Sequence, residues 1–423
     1  MSLRGKCLLY IGGSASVTDI ANYTQKHGIK LLTAGKMISE EMVSFTDEQF
    51  VVDVSDKECL MRIVTEQKVD GILVIGNEDI IACVIDVAET LGLQFYVKRE
   101  QWIELQDKKN FKKNCVNYGI SVVETYEITD DYDSRRIPDD AYPVILKPAD
   151  SCGSKGISVC NTIEELNLAI KKAKSYSRTE RFLCEKYMDC PEITIKYLFD
   201  RGHVYLWEVN DRYVNREQKN VGAISNCTIY PSQYIQLYLE TIHSKMVEML
   251  GNFHFYNGTM FVQAFVDGNI IRPYDPGIRF SGGLSHFITE HVFGVNPLEF
   301  MINAALVGRM YCGEENPIEK INVEMNGRHL ANYSVLAKAG TIAEIHGMDT
   351  VVKMPEVFKS LQLLHVGDEV KMVGTLQQVF ARFQIEAQSR KELNDIIKTI
   401  YDTIQLRGID GEDMKLHQKI KFL

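Results

Sequence analysis

The sequence predicts an α/β fold that passes into α+β architecture, on three observations. Residues 7 to about 105 alternate apolar strand-like runs with helical patterns, which argues for a parallel, doubly wound sheet. Residues 142–209 mix strands with one capped helix around a loop of small residues. From about residue 328 strand patterns dominate, and the chain closes on a helix near 389–404 and a polar tail. At 423 residues the chain is long enough for about three domains of ordinary size, each able to bury its own core.

The first unit places strands at 7–11, 29–33, 50–54 and 71–75, with its clearest helices at 57–67 and 78–91. The turn Gly12-Gly13-Ser14 follows the first strand. It is not G-x-G-x-x-G, and no acidic residue clearly ends the second strand, so a dinucleotide site is not indicated. Gly76-Asn77-Glu78-Asp79 lies beyond the fourth strand, where ligands of such sheets bind, so Glu78 can face a substrate. Glu78 can equally open a helix capped by Asn77, with acids on the favourable dipole end. A charged helix at 107–118 stops at Gly119, which suits a C-terminal cap. Residues 130–140 are polar, contain Pro138 and read as a linker.

The most informative stretch is YPVILKPADSCGSKGISV, residues 142–159. An apolar strand delivers Lys147 and stops at Pro148. A loop of small residues runs through Ser151, Gly153 and Ser154 to Lys155 and Gly156, and a second strand begins at Ile157. A polyphosphate needs such a place: backbone N–H groups free to approach, little side-chain bulk, and cations close by. No G-x-x-x-x-G-K-[ST] is present and a strand follows rather than a helix, so this is not a Walker A loop. Taken alone, the segment also reads as a hairpin with a basic turn. A helix at 163–176 follows, capped by Thr162 with Glu165 three residues on. Then come strands at 181–187 and 192–199, a long helix at 234–250, and strands at 258–266 and 269–274 joined by Asp267-Gly268.

Three further segments carry chemistry. Glu185-Lys186-Tyr187-Met188 ends a strand, with Glu192 after a short bend. An adenine needs a strand-like linker and an apolar contact, and a ribose needs an acceptor, which Glu192 can supply. Alone, this is also an edge strand with solvated charges. Gln263 and Asp275 lie on two strands joined by a tight turn, so both can point to one face. An amide oxygen and a carboxylate suit Mg2+ or Mn2+, with phosphate oxygens and water completing the shell. Arg279 follows Asp275 closely, and Ser281-Gly282-Gly283 lets backbone approach. An arginine there can clamp a transferring phosphoryl group or a carboxylate with paired hydrogen bonds. Asp107-Lys108 opens the charged helix with a cation able to reach a phosphate across a cleft.

A net charge of −10 argues against a nucleic-acid partner held by electrostatics. Ten scattered cysteines, without a C-x-x-C pair, suggest free thiols in a reducing compartment rather than a zinc site or disulfide framework. Neither a signal-peptide pattern nor a long apolar run occurs, so a cytoplasmic protein without a membrane partner is expected.

Together these segments resemble the ATP-grasp superfamily, in particular its carbamoyl-phosphate-synthase-like and L-amino-acid-ligase-like carboxylate–amine ligases. The resemblance covers essentially the whole chain. It implies a Rossmann-like pre-grasp domain over 1–106, a linker helix and lid over 107–210, a catalytic subdomain over 211–327 and a β-rich C-terminal lobe over 328–423. It further implies ATP-phosphate lysines at Lys108 and Lys147 and a glycine lid from Ser151 to Gly156. The adenine linker falls on Glu185, Lys186, Tyr187 and Met188, and the ribose acid on Glu192. The metal ligands fall on Gln263 and Asp275, and Arg279 is the catalytic arginine beside Lys147. The family's Glu-x-Asn-x-Arg falls on Asp275-Pro276-Gly277-Ile278-Arg279, so the acid is shorter and Gly277 lacks the metal-binding amide.

The implied reaction is ATP- and magnesium-dependent ligation of a small carboxylate to an amine through an acyl phosphate, by a homodimer. A carboxyphosphate-forming relative such as carbamoyl-phosphate synthase, a purine-pathway enzyme such as phosphoribosylamine–glycine ligase, and an ATP sensor that ligates nothing are the alternatives. Gly277 is what makes the last of these a rival.

Overall fold

Strands that are apolar on both faces build the first layer. The computed structural model describes the chain except residues 1, 77, 129–136, 150–155, 178, 216–223, 372 and 419–423. Strands β1 (Cys7–Ile11), β2 (Lys30–Gly35), β3 (Glu48–Val51) and β4 (Gly71–Val74) pair in parallel in the order β3-β2-β1-β4. β1 and β4 are buried from end to end, as a sheet covered by helices on both faces requires. Helices Val17–His27, Glu40–Phe45 and Lys57–Glu66 make the connections, and Glu78–Leu91 follows β4. The third strand lies slightly earlier than its apolar run at 50–54 suggests, ending at Val51.

Helix Lys108–Asn117 links this unit to the next. Asp107 caps it, its carboxylate accepting the N–H groups of Lys109 and Asn110, and Gly119 follows at φ +67°. Strands β5 (Thr125–Tyr126), β6 (Val144–Pro148), β7 (Ser158–Cys160) and β8 (Phe182–Lys186) form an antiparallel sheet in the order β5-β8-β6-β7. Helix Ile163–Tyr176 covers one face, burying Leu166, Ala169, Ile170 and Ala173 against Val144, Leu146 and Cys184.

The largest sheet draws on β9 (Glu192–Asp200), β10 (His203–Asn215), β11 (Ile224–Tyr230), β12 (Asn257–Asp267), β13 (Ile270–Gly277) and β14 (His329–Leu336). Later in the chain come β15 (Gly340–His346), β16 (Val357–Gln362), β17 (Glu369–Val370), β18 (Val379–Ala387) and β19 (Gln405–Gly408). Eight of these strands form one sheet, β13-β12-β9-β10-β11-β14-β18-β16, which runs unbroken from the central region into the C-terminal third. Strands β17, β15 and β19 make a small separate sheet, and helix Arg390–Thr403 packs its Leu393, Ile396, Ile397 and Ile400 on β14 and β18.

Two further features depart from the sequence reading. The helix expected at 234–250 is two helices, Ile235–Thr241 and His243–Gly251, broken where Ile242 takes φ −130°. The β-branched pair Thr241-Ile242 crowds the preceding turn and disfavours continuation. Strands β10 and β11 were not anticipated. β10 turns Glu208, Asn210 and Arg212 to one face, so charged residues hide the apolar alternation that marks a strand.

Candidate active site

The floor of the site is one face of the eight-stranded sheet. In the β12–β13 hairpin Gln263 lies opposite Asp275, and Ala264 opposite Pro273, so Tyr274 is the extra residue of a β-bulge. The bulge lets Tyr274 and Asp275 both serve the cleft, where a regular strand would send them to opposite faces. The Tyr274 hydroxyl stands 2.8 Å from Gln263 Oε1 and 2.9 Å from Glu192 Oε2. Burial, reinforced by the Glu192 charge, pushes its phenol well up, so it remains a hydrogen-bond donor. Arg212 donates to Glu192 from the neighbouring strand.

The opposing jaw carries a buried charge triad. Lys147 Nζ lies 2.5 Å from Glu185 Oε2, and Lys112 Nζ lies 2.5 Å from Glu185 Oε1. Lys112 also donates to the Val123 carbonyl at 2.7 Å and to the Thr125 hydroxyl. Burial alone would raise the Glu185 carboxyl; the two lysines outweigh it and hold the group below its usual value. Burial pushes the Lys112 ammonium below the usual lysine range despite Glu185. Lys147 projects from this triad to 5.2 Å from the centre of the Tyr274 ring, which joins the two jaws across one cleft. Lys108 completes the junction, its ammonium 2.9 Å from Asp275 Oδ1.

The linker residues line the edge of this jaw. Lys186 is exposed, its N–H bonded to the Glu124 carbonyl at 3.0 Å, and the Tyr187 N–H reaches the Pro143 carbonyl at 3.2 Å. Met188 is 9% exposed and offers an apolar surface. Ser151, Gly153, Ser154 and Lys155 lie outside the described residues. Gly156 is at φ +76°, and a Cβ there would come within 2.8 Å of Pro148 and Tyr176, so space and backbone both call for glycine.

Arg279 stands where the two jaws meet the first sheet. Its Nε is 2.5 Å from Glu78 Oε1, and its guanidinium carbon is 4.9 Å from the centre of the Phe261 ring. A single parallel bridge, Ile75 to Phe280, draws the arginine loop against the end of β4. Glu78, which the sequence left open between ligand-facing and helix-opening roles, does open its helix and points its carboxylate at this arginine. Beyond the loop, Gly282 and Gly283 offer their carbonyls to Arg382 at 2.9 Å and Asn332 at 2.6 Å. His286 is fully buried, and burial takes its imidazole down to about 3, so it is neutral. His291 instead pairs outward with Glu386 at 2.6 Å and stacks on Phe358.

Sequence reasoning missed Lys112, Tyr274, Arg212 and Arg382. Lys112 had a signal: it falls one helical turn after Lys108 and so shares its face. Arg382 had none, because it meets the Gly282 carbonyl across 100 residues of sequence.

The donor set fits a hard divalent cation. Gln263 and Asp275 are oxygen donors paired across two strands, and Asp275 already attracts a cation. Among the described residues no cluster of three His, Cys, Asp or Glu could hold a metal by itself, so nucleotide oxygens would have to complete the shell.

Comparison with known proteins bears on the fold. Residues 116–219 match the family described as D-ala D-ala ligase C-terminus. The L-amino acid ligase of Bacillus licheniformis superposes with a TM-score of 0.79 at 18% identity, over 96% of this chain and 99% of that one. The chain has the ATP-grasp fold. A second ATP-grasp superposition is the biotin carboxylase domain of the 2-oxoglutarate carboxylase of Hydrogenobacter thermophilus, solved with MgADP and bicarbonate. Its TM-score is 0.74 at 18% identity, over 95% of this chain and 91% of that one. The small subunit of that carboxylase is 26% identical over 295 residues, 65% of this chain. The match spans 60% of that subunit's length. Among the described residues no helix is long and apolar enough to cross a membrane.

Proposed function

We propose that the protein is an ATP- and Mg2+-dependent carboxylate–amine ligase. The observation that carries this reading is the meeting in one cleft of Lys147 from the lid, the Gln263/Asp275 pair from the floor and Arg279 from the rear. In this reading the base lies along Lys186, Tyr187 and Met188, with Glu185 beneath it holding Lys147. Glu192 accepts from the ribose, and Lys108 and Lys147 hold the phosphates. Gln263 and Asp275 hold Mg2+, which neutralises phosphate charge when bound with the nucleotide.

The chemistry needs no nucleophilic side chain. A substrate carboxylate oxygen attacks the γ-phosphorus and ADP leaves. The amine then attacks the acyl phosphate carbon, phosphate departs and the ammonium loses a proton. Arg279, held by Glu78, neutralises the incoming carboxylate and the transferring phosphoryl group. Closure of the lid keeps water from the acyl phosphate. The likeness to the carboxylase domain solved with bicarbonate favours a second reading, in which bicarbonate is the carboxylate and carboxyphosphate the intermediate.

Incubation with Mg–ATP and pools of carboxylates and amines tests the proposal. A ligase releases ADP and phosphate only with the right pair, and label moves from the carboxylate oxygen to phosphate. ATP binding without any stimulated turnover would leave a nucleotide sensor.

A further inference from the structure

Gly277 replaces an expected metal ligand, and the structure shows what occupies its place. Phe261 lies directly opposite Gly277 in the β12–β13 register, two residues along each strand from Gln263 and Asp275, and therefore on the same face. A Cβ built on Gly277 would sit 2.2 Å from Cζ of the Phe261 ring and 2.4 Å from Cε1. The backbone does not demand glycine, because Gly277 is not among the positive-φ residues. Space does. The same ring lies 4.9 Å from the guanidinium carbon of Arg279, in the range of a cation–π contact.

We infer that Phe261 and Gly277 act as one device: the ring excludes any side chain at 277, limiting the pocket to two side-chain ligands and one divalent cation, and it seats Arg279 beside that cation. The inference rests on the ligase reading for the nucleotide, but not on any acceptor substrate. Phe261 is thus a positioning residue. It fixes the guanidinium from below while Glu78 fixes it from the side, leaving Arg279 to supply the positive charge that another ligand set would draw from a further metal ion.

Counting metal tests this without turnover. The purified chain, saturated with ADP, is titrated with Mn2+ while free Mn2+ is read by its electron paramagnetic resonance. One bound Mn2+ per chain is expected. In Phe261→Ala/Gly277→Asn the vacated space accepts an amide oxygen, and two are expected. Two tight ions in the unaltered chain, or one in the double variant, overturns the inference. A separate pair of variants covers a double variant that fails to fold. Gly277→Ala alone should lower the thermal midpoint by roughly 2–6 °C, the scale of overpacking a filled core, and adding Phe261→Ala should remove that penalty. Equal penalties in both backgrounds would refute the steric coupling. Failure to take up ADP at all would instead sink the ligase reading, with the stability pair still deciding the role of Phe261.

Discussion

Lys108 Nζ and Asp275 Oδ1 stand 2.9 Å apart, joining the start of the linker helix to the last turns of β13. The pair places a lysine cation against the carboxylate assigned to the metal. Entry of a magnesium nucleotide would exchange partners: Asp275 turns to the metal and Lys108 to a phosphate, with no charge left uncompensated.

Asp275→Asn should therefore abolish turnover while leaving ATP affinity within about tenfold, because the base and sugar contacts persist. Calorimetric binding of ATP alongside ADP release checks both halves. A variant that keeps its rate would remove Asp275 from the metal site.

Lys147→Ala should act on binding itself. Losing one charge-assisted hydrogen bond to phosphate costs about 1.5–3 kcal/mol, roughly a ten- to hundredfold weaker dissociation constant for ADP. It would also strand Glu185 with Lys112 alone. Unchanged ADP affinity in a titration would exclude Lys147 from the phosphate site.

Much of this was legible from local pattern. Lys147 was placed because β6 is a buried apolar run ending in proline, and the Gln263/Asp275 pairing followed from a short hairpin with a predictable turn. The illegible part is non-local. Tyr274 enters the cleft only through a bulge, Glu78 meets Arg279 across 201 residues of sequence, and Arg382 meets the Gly282 carbonyl across 100. The charged inner face of β10 concealed a strand, because alternation is a weak signal when both faces carry function or burial.

Glu78→Gln isolates the coupling between the first sheet and the site. The amide keeps the shape but loses the charge that holds Arg279, so kcat should fall by about tenfold or more while ADP affinity stays put. Full activity in this variant would show that Arg279 is seated without Glu78. Loss of ADP binding would show that the carboxylate serves the nucleotide rather than the arginine.

Glu185 makes a prediction about acid. Its carboxyl is buried, which by itself would raise it, yet Lys147 and Lys112 hold it below its usual value in the folded chain. A carboxyl depressed by folding contributes stability that is fully present above its unfolded pKa of about 4.3, and that fades as pH falls through the lower folded value. Removing it strands two buried lysines, at a cost of about 3–5 kcal/mol near neutrality. Urea unfolding of the unaltered chain and Glu185→Gln should differ most at pH 6–7, and the gap should narrow progressively below about pH 4.5 as the unfolded chain's carboxyl takes up a proton while the native one stays ionised down to its lower value. A gap that stays constant from pH 7 to 3 would mean that folding leaves the Glu185 carboxyl where it stands in the unfolded chain, and Lys147 would then lack its charged anchor.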